Sequence, residues 1–223
     1  MSHDDFAFEP VRGLPERPPK SEMVLWQGRP DTWALAREAY RVNWIIGYFV
    51  LIVLWRGSVG WLDAGAAGAL AFGLPYATLG LAAWAVVMGL AWVQARATVY
   101  TITSARVAMR IGAALTVTLN LPFRQIANAD LDLRKDGTGT IALETLGETK
   151  FSYLVLWPHL RPGHVRVTKP ALRCIADATA VAEILADAAE ARLAEPVVER
   201  TAARAPAPAR VHPVPAGSAL PAE

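Results

Sequence analysis

Between residues 42 and 95 the chain carries two formal charges, Arg56 and Asp63, and from 64 to 95 it carries none. No other feature limits the fold so strongly. As one helix the uncharged run would extend about 48 Å at 1.5 Å per residue, against a bilayer hydrocarbon core of roughly 30 Å. A soluble helix of that kind must be covered on every side, and a 223-residue chain has too little other mass to cover it. The stretch predicts a membrane-embedded unit.

Its internal division is less direct. Residues 42–55, between Arg41 and Arg56, fall short of a full span; running on to Leu62 suffices if Arg56 bends its guanidinium to the headgroups. A re-entrant hairpin is the alternative. Trp44, Trp55 and Trp61 suit interfacial anchoring. A second span runs from Leu74 or Tyr76 to Val93. The Gly/Ala-rich residues 64–73 fit an extension of that helix, an interfacial loop or a third short span. Ala64/Gly68, Ala69/Gly73 and Ala85/Gly89 are small residues four apart, which lets backbones approach closely, within one hairpin or against a partner helix. Lys20, Arg29, Arg37 and Arg41 precede the segment, Arg96, Arg106 and Arg110 follow it, and the connection offers only Arg56. The positive-inside rule then places both ends in the cytoplasm and requires an even number of spans, hence two. Asp63, beside Gly60 and Gly65, falls at the expected connection.

The net charge of +2 shows no concentrated basic face for nucleic acid. A single cysteine, Cys174, excludes an intramolecular disulfide and a Cys-based zinc site within one chain. Residues 1–41 hold 13 charges and no apolar core of a signal peptide, so none is expected. Four prolines make residues 1–22 read as an extended arm, followed by a short apolar run, Met23 to Trp26, and a Gly-Arg-Pro turn. Asp31 or Thr32 is placed to cap a short helix before the membrane.

From Thr98 the period becomes 2. Val107, Met109 and Ile111 alternate with smaller or polar residues, as do Leu115 to Leu121 and Ala129 to Leu133. Further runs follow at Ile141 and Leu143, Phe151 to Trp157, and Val165 and Val167. About seven short antiparallel strands with one wet face are expected, closed by a helix in which Asp177 caps and Val181, Ile184, Leu185 and Ala188 form the apolar stripe. The domain limits expected are 1–41, 42–95, 96–195 and a disordered Pro/Ala-rich tail, 196–223.

No nucleophile or metalloprotease motif is present, and Gly137-Thr138-Gly139 reads as a hairpin turn. His159 and His164 flank a loop without an evident third ligand. No histidine lies within 42–95 to hold a haem or bacteriochlorophyll. No catalytic, metal or cofactor residue is assigned. Trp26, Arg29 and Trp157 are the candidate interaction residues, each equally suited to packing.

Two resemblances add to this reading. Thr98-Val-Tyr-Thr-Ile-Thr103 with Arg106 and Val107, the glycine turn at 136–139 and the upstream Leu25-Trp-Gln-Gly-Arg-Pro30 resemble bacterial pleckstrin-homology-like domains. The whole chain resembles the photosynthetic complex assembly proteins of purple bacteria, the PuhB type, through Gly13-Leu-Pro-Glu16, Glu22 to Asp31, the membrane span and Phe151-Ser-Tyr-Leu-Val-Leu-Trp-Pro-His-Leu160. This implies a membrane hairpin carrying an α+β pleckstrin-homology-like domain. It implies a non-enzymatic factor in the inner (intracytoplasmic) membrane, with reaction-centre and core antenna subunits and membrane lipid as partners. A homo-oligomer is compatible with it. The rival is a generic membrane-tethered module that binds lipid headgroups, through Arg106, Arg110 and Arg124, or envelope proteins.

Overall fold

The computed structural model describes residues 11–113, 115–147, 151–163 and 168–194. Strand β1 (Val24–Gly28) and helix α1 (Thr32–Glu38) precede the long apolar helix α2 (Val42–Ala97). Strands β2 (Val99–Thr103), β3 (Arg106–Ile111), β4 (Val117–Pro122), β5 (Ile126–Leu133) and β6 (Gly139–Thr145) follow. The short helix α3 (Tyr153–Leu156), strand β7 (Ala171–Ile175) and helix α4 (Ala178–Ala194) complete the order.

Helix α2 is long and apolar enough to cross a membrane. Its buried positions are Val42, Gly60, Gly68, Gly73, Ala91 and Ala95, nearly all small, whereas Leu51, Leu54, Trp55, Leu62, Leu70 and Leu81 are exposed. A core helix of a soluble domain would bury those leucines. Helical geometry fails at Ala64 (φ −144°, ψ 27°) and Gly65 (φ 57°, ψ −142°), the latter a conformation open to glycine. Residues before the break lie against residues after it. A β-carbon at Gly60 or Gly68 would collide with the other's carbonyl, Gly80 abuts the Phe49 ring, and Val42 clusters with Ala91. The Gly/Ala-rich residues beyond the break are helical, so the second half begins well before Leu74.

The strands form two antiparallel sheets, β1-β2-β3-β4 and β5-β6-β7, around one core that includes Tyr100, Ile102, Met109, Phe123, Ile141 and Leu172. Helix α4 closes this core with Val181, Leu185 and Ala188 of the expected stripe and with Ala178, while Ile184, also expected there, is half-buried beside them. Asp177 stands at the entry with φ 49°, its carbonyl accepting from the Val181 N–H.

Among the described residues there are seven strands, but their membership differs from the expected one. Phe151 to Trp157 contains helix α3 rather than a strand. Val165 and Val167 lie outside the described residues, as does the tail from 195. The described strands include β7 and also β1, from the far side of the apolar helix, which pairs Gln27 with Thr101 and Gly28 with Tyr100. The expected wet face is also absent from β2, β3 and β7, whose residues are buried apart from the half-buried Arg106. Gly13 sits against Val99 on one side, and Ala34 and Leu35 of α1 pack on Cys174 on the other.

One ion pair fastens β1 to the sheet. Glu22 receives Nε and Nη2 of Arg106 at 2.7 and 3.0 Å. Burial works against its ionisation, but the hydrogen bonds and charge of Arg106 outweigh this and hold the carboxyl below its usual range. Glu22→Gln should cost about 1–2 kcal/mol, read as a lower thermal midpoint in detergent. The loss belongs to pH values above the ordinary carboxylate range and should shrink in acid, where the wild-type group protonates as well.

Candidate functional site: the junction of apolar helix and sheets

The polar residues that converge lie where α2 meets the sheets. Asp31 caps α1, its carboxylate accepting from the Ala34 N–H at 2.8 Å, and its own N–H donates to the Cys174 carbonyl at 2.7 Å. Helix α1 is thereby fixed on β7. Arg41, with φ 54°, reverses the chain into α2.

His159 is wholly buried at the centre. The Tyr100 hydroxyl accepts from the Arg173 backbone N–H at 3.1 Å, so its proton goes to Nδ1 of His159, 2.6 Å away. Nε2 is then an N–H and faces the Thr98 hydroxyl oxygen at 3.1 Å. That hydroxyl spends its own proton on the Gln94 carbonyl at 2.8 Å, which leaves its oxygen to accept. The Gln94 side-chain amide lies 3.2 Å from the same nitrogen, and its oxygen is the end that suits an N–H there. Burial, helped by the Arg173 charge, pushes the imidazole pKa down to about 3. The ring is neutral and structural, with both nitrogens taken.

Arg173 ties the remaining elements together. Its Nη1 donates to the Pro158 carbonyl at 2.9 Å and its Nη2 to the Glu38 carbonyl at 3.1 Å. Burial lowers its pKa, and burial likewise pushes the Cys174 thiol up to about 11, away from nucleophilic use at neutral pH. Arg134 approaches Glu38 at 3.5 Å. The end of α1, the last turn of α2, β2, β7 and the Trp157–Leu160 loop thus share one buried polar network.

The three candidate interaction residues go to different places. Trp26 is half-buried, packs on the sheet core and lies across Gly28. Arg29 is exposed just beyond β1. Trp157 meets Tyr40 edge-on, ring centroids 5.1 Å apart, at the mouth of α2. His164, the other half of the histidine pair, lies outside the described residues. Sequence reasoning placed His159 in a loop and passed over Arg173. The one local signal was an arginine inside the apolar Ala171–Ile175, a position that needs buried acceptors.

A sheet-and-helix domain continuous with an apolar helix is the class of protein these features define. A family model described as Bacterial PH domain matches residues 46–189. The chain belongs to that family, and its fold is pleckstrin-homology-like, with antiparallel sheets and a C-terminal helix. It is also 49% identical over 203 residues to a Rhodobacter capsulatus protein described as "Uncharacterized 23.7 kDa protein in puhA 5′ region", covering 89% of this chain and 94% of that one. A solved structure of a DUF1696 family protein with a pleckstrin-homology domain, from Shewanella loihica, matches at TM-score 0.28 and 10% identity. The match covers 41% of this chain and 71% of that one.

Proposed function

We propose that this chain is a membrane-bound, non-enzymatic assembly factor for the photosynthetic reaction centre and its core antenna. The observation that carries the reading is the near full-length Rhodobacter capsulatus relative, described as lying in the puhA 5′ region. It agrees with the PuhB-type resemblance of the motifs. In this reading α2 folds at Ala64 and Gly65 into a hairpin that crosses the inner membrane twice, both ends cytoplasmic. The first half would reach about 33 Å and the second about 48 Å, each enough for the hydrocarbon core.

The geometry supplies surfaces for such work. Small residues close the hairpin on itself and leave leucines outward. An open groove of about 440 Å³ between its halves is lined by Phe49, Val53, Ala77, Gly80 and Trp84, a shape suited to a partner helix. In the sheet domain β5 is an outer strand. Beside it α4 borders a groove of about 220 Å³ lined by Ile126, Ala129, Leu131, Ala182 and Leu185, which suits an extended client segment. Of the three arginines of the headgroup-binding rival, Arg106 is engaged by Glu22, Arg110 is 2% exposed, and Arg124 is exposed.

A mild-detergent pulldown of the tagged protein from photosynthetically growing cells tests the reading. Reaction-centre or antenna subunits should be enriched while assembly is active. Recovery of lipid-metabolism or envelope proteins alone would replace it with the rival.

A further inference from the structure

Helix α3 presents apolar side chains that the fold leaves unused. Leu156 is 3% exposed and anchors the loop in the core, which turns its neighbours out: Leu154 is 86% exposed and Val155 52%. Tyr153 and Trp157 are 38% and 40% exposed beside them. Burying leucine and valine side chains is favourable, so a cluster left outside indicates a contact surface.

The position of the loop indicates what covers it. Trp157 meets Tyr40 edge-on, two residues before α2 begins, and His159 is bonded to Gln94 and Thr98, where α2 ends. The loop is therefore held against both ends of the apolar helix, at the level where a bilayer surface falls if α2 is in the membrane. Trp44, in the first turn of α2, is 76% exposed, and Trp92, near its end, is 53% exposed with the Arg96 guanidinium 5.5 Å from its ring centroid. Outward tryptophans beside a cation at helix ends mark a membrane–water interface.

We infer that the α3 loop is an interfacial wedge: Leu154 and Val155 enter the headgroup–acyl boundary of the bilayer, with Tyr153 and Trp157 at headgroup depth. The occupant is lipid because Trp157 meets Tyr40, which packs on Val42 and Ala91 at the mouth of α2, so the exposed α3 side chains stand beside the membrane-facing helix. The sheet domain is then seated on the membrane by a third contact, which sets its orientation toward whatever it holds. The inference rests on the membrane reading of α2 and not on the identity of any client.

The test uses the full chain in phosphatidylcholine/phosphatidylglycerol vesicles without other proteins. Leu154→Cys and Val155→Cys are labelled with an environment-sensitive fluorophore, with Glu183→Cys on the exposed face of α4 as the aqueous reference. Cys174 is fully buried, and labelling of the unsubstituted chain controls for it. Labels at 154 and 155 should emit to the blue of the label at 183, be quenched by brominated lipid, and show several-fold weaker iodide quenching. Iodide quenching equal to that at 183 would overturn the wedge. So would protection from both quenchers, which means burial against protein. A failed client pulldown leaves this result untouched.

Discussion

Gly68→Val should separate the two halves of α2 and lower the thermal midpoint in detergent sharply, whereas Gly89→Val should leave it nearly unchanged. Gly60 and Gly68 face each other so closely that a β-carbon on either meets the backbone carbonyl of the other. A backbone atom cannot swing aside as a flexible side chain can, so the helices themselves must move. Overpacking at such sites costs about 1–3 kcal/mol, more where backbone must shift. Gly89 has nothing within 4 Å of where its β-carbon would stand, which makes it the matched control for inserting valine into the same helix. Equal losses from the two substitutions would mean that helix propensity, and not the close crossing, governs the effect.

Acid should weaken the junction through His159. Its pKa is near 3 in the fold against 6.5 when free, so between those values the unfolded chain binds the proton that the folded one refuses. Stability is therefore full above pH 6.5 and is lost as pH falls toward 3, at up to about 1.4 kcal/mol per pH unit. His159→Asn, which keeps polar atoms but does not titrate, should be less stable than wild type at pH 7.5 and show a shallower decline between pH 6.5 and 4.5. Thermal midpoints of both proteins across that range provide the measurement. Parallel declines would show that other groups set the acid response.

Local pattern and distant pairing account for what could be read in advance and what could not. The hydropathy of residues 42–95 carried the apolar helix, because cost in a bilayer is summed residue by residue along a segment. Period-2 alternation carried β3, β4 and β5, and the 3.6 period carried α4. Strand β7 escaped because Ala171–Ile175 is buried on both faces and therefore does not alternate. The run from Phe151 to Trp157 was misread for the reason that short apolar runs are ambiguous: Leu156 points inward while its neighbours point out.

Of the candidate site, the sequence placed His159 in a loop, but the network around it was not legible. Composition, membrane-length apolarity and strand periodicity are properties of neighbouring residues, and those the sequence determined by itself. The pairing of β1 with β2 across the whole apolar helix, the break that lets Gly60 meet Gly68, and the burial of His159 between Tyr100 and Thr98 were decided by tertiary structure alone. Each depends on groups brought together from some 8 to more than 70 positions apart, and a buried polar side chain takes its protonation and its role from such partners rather than from the residues on either side of it.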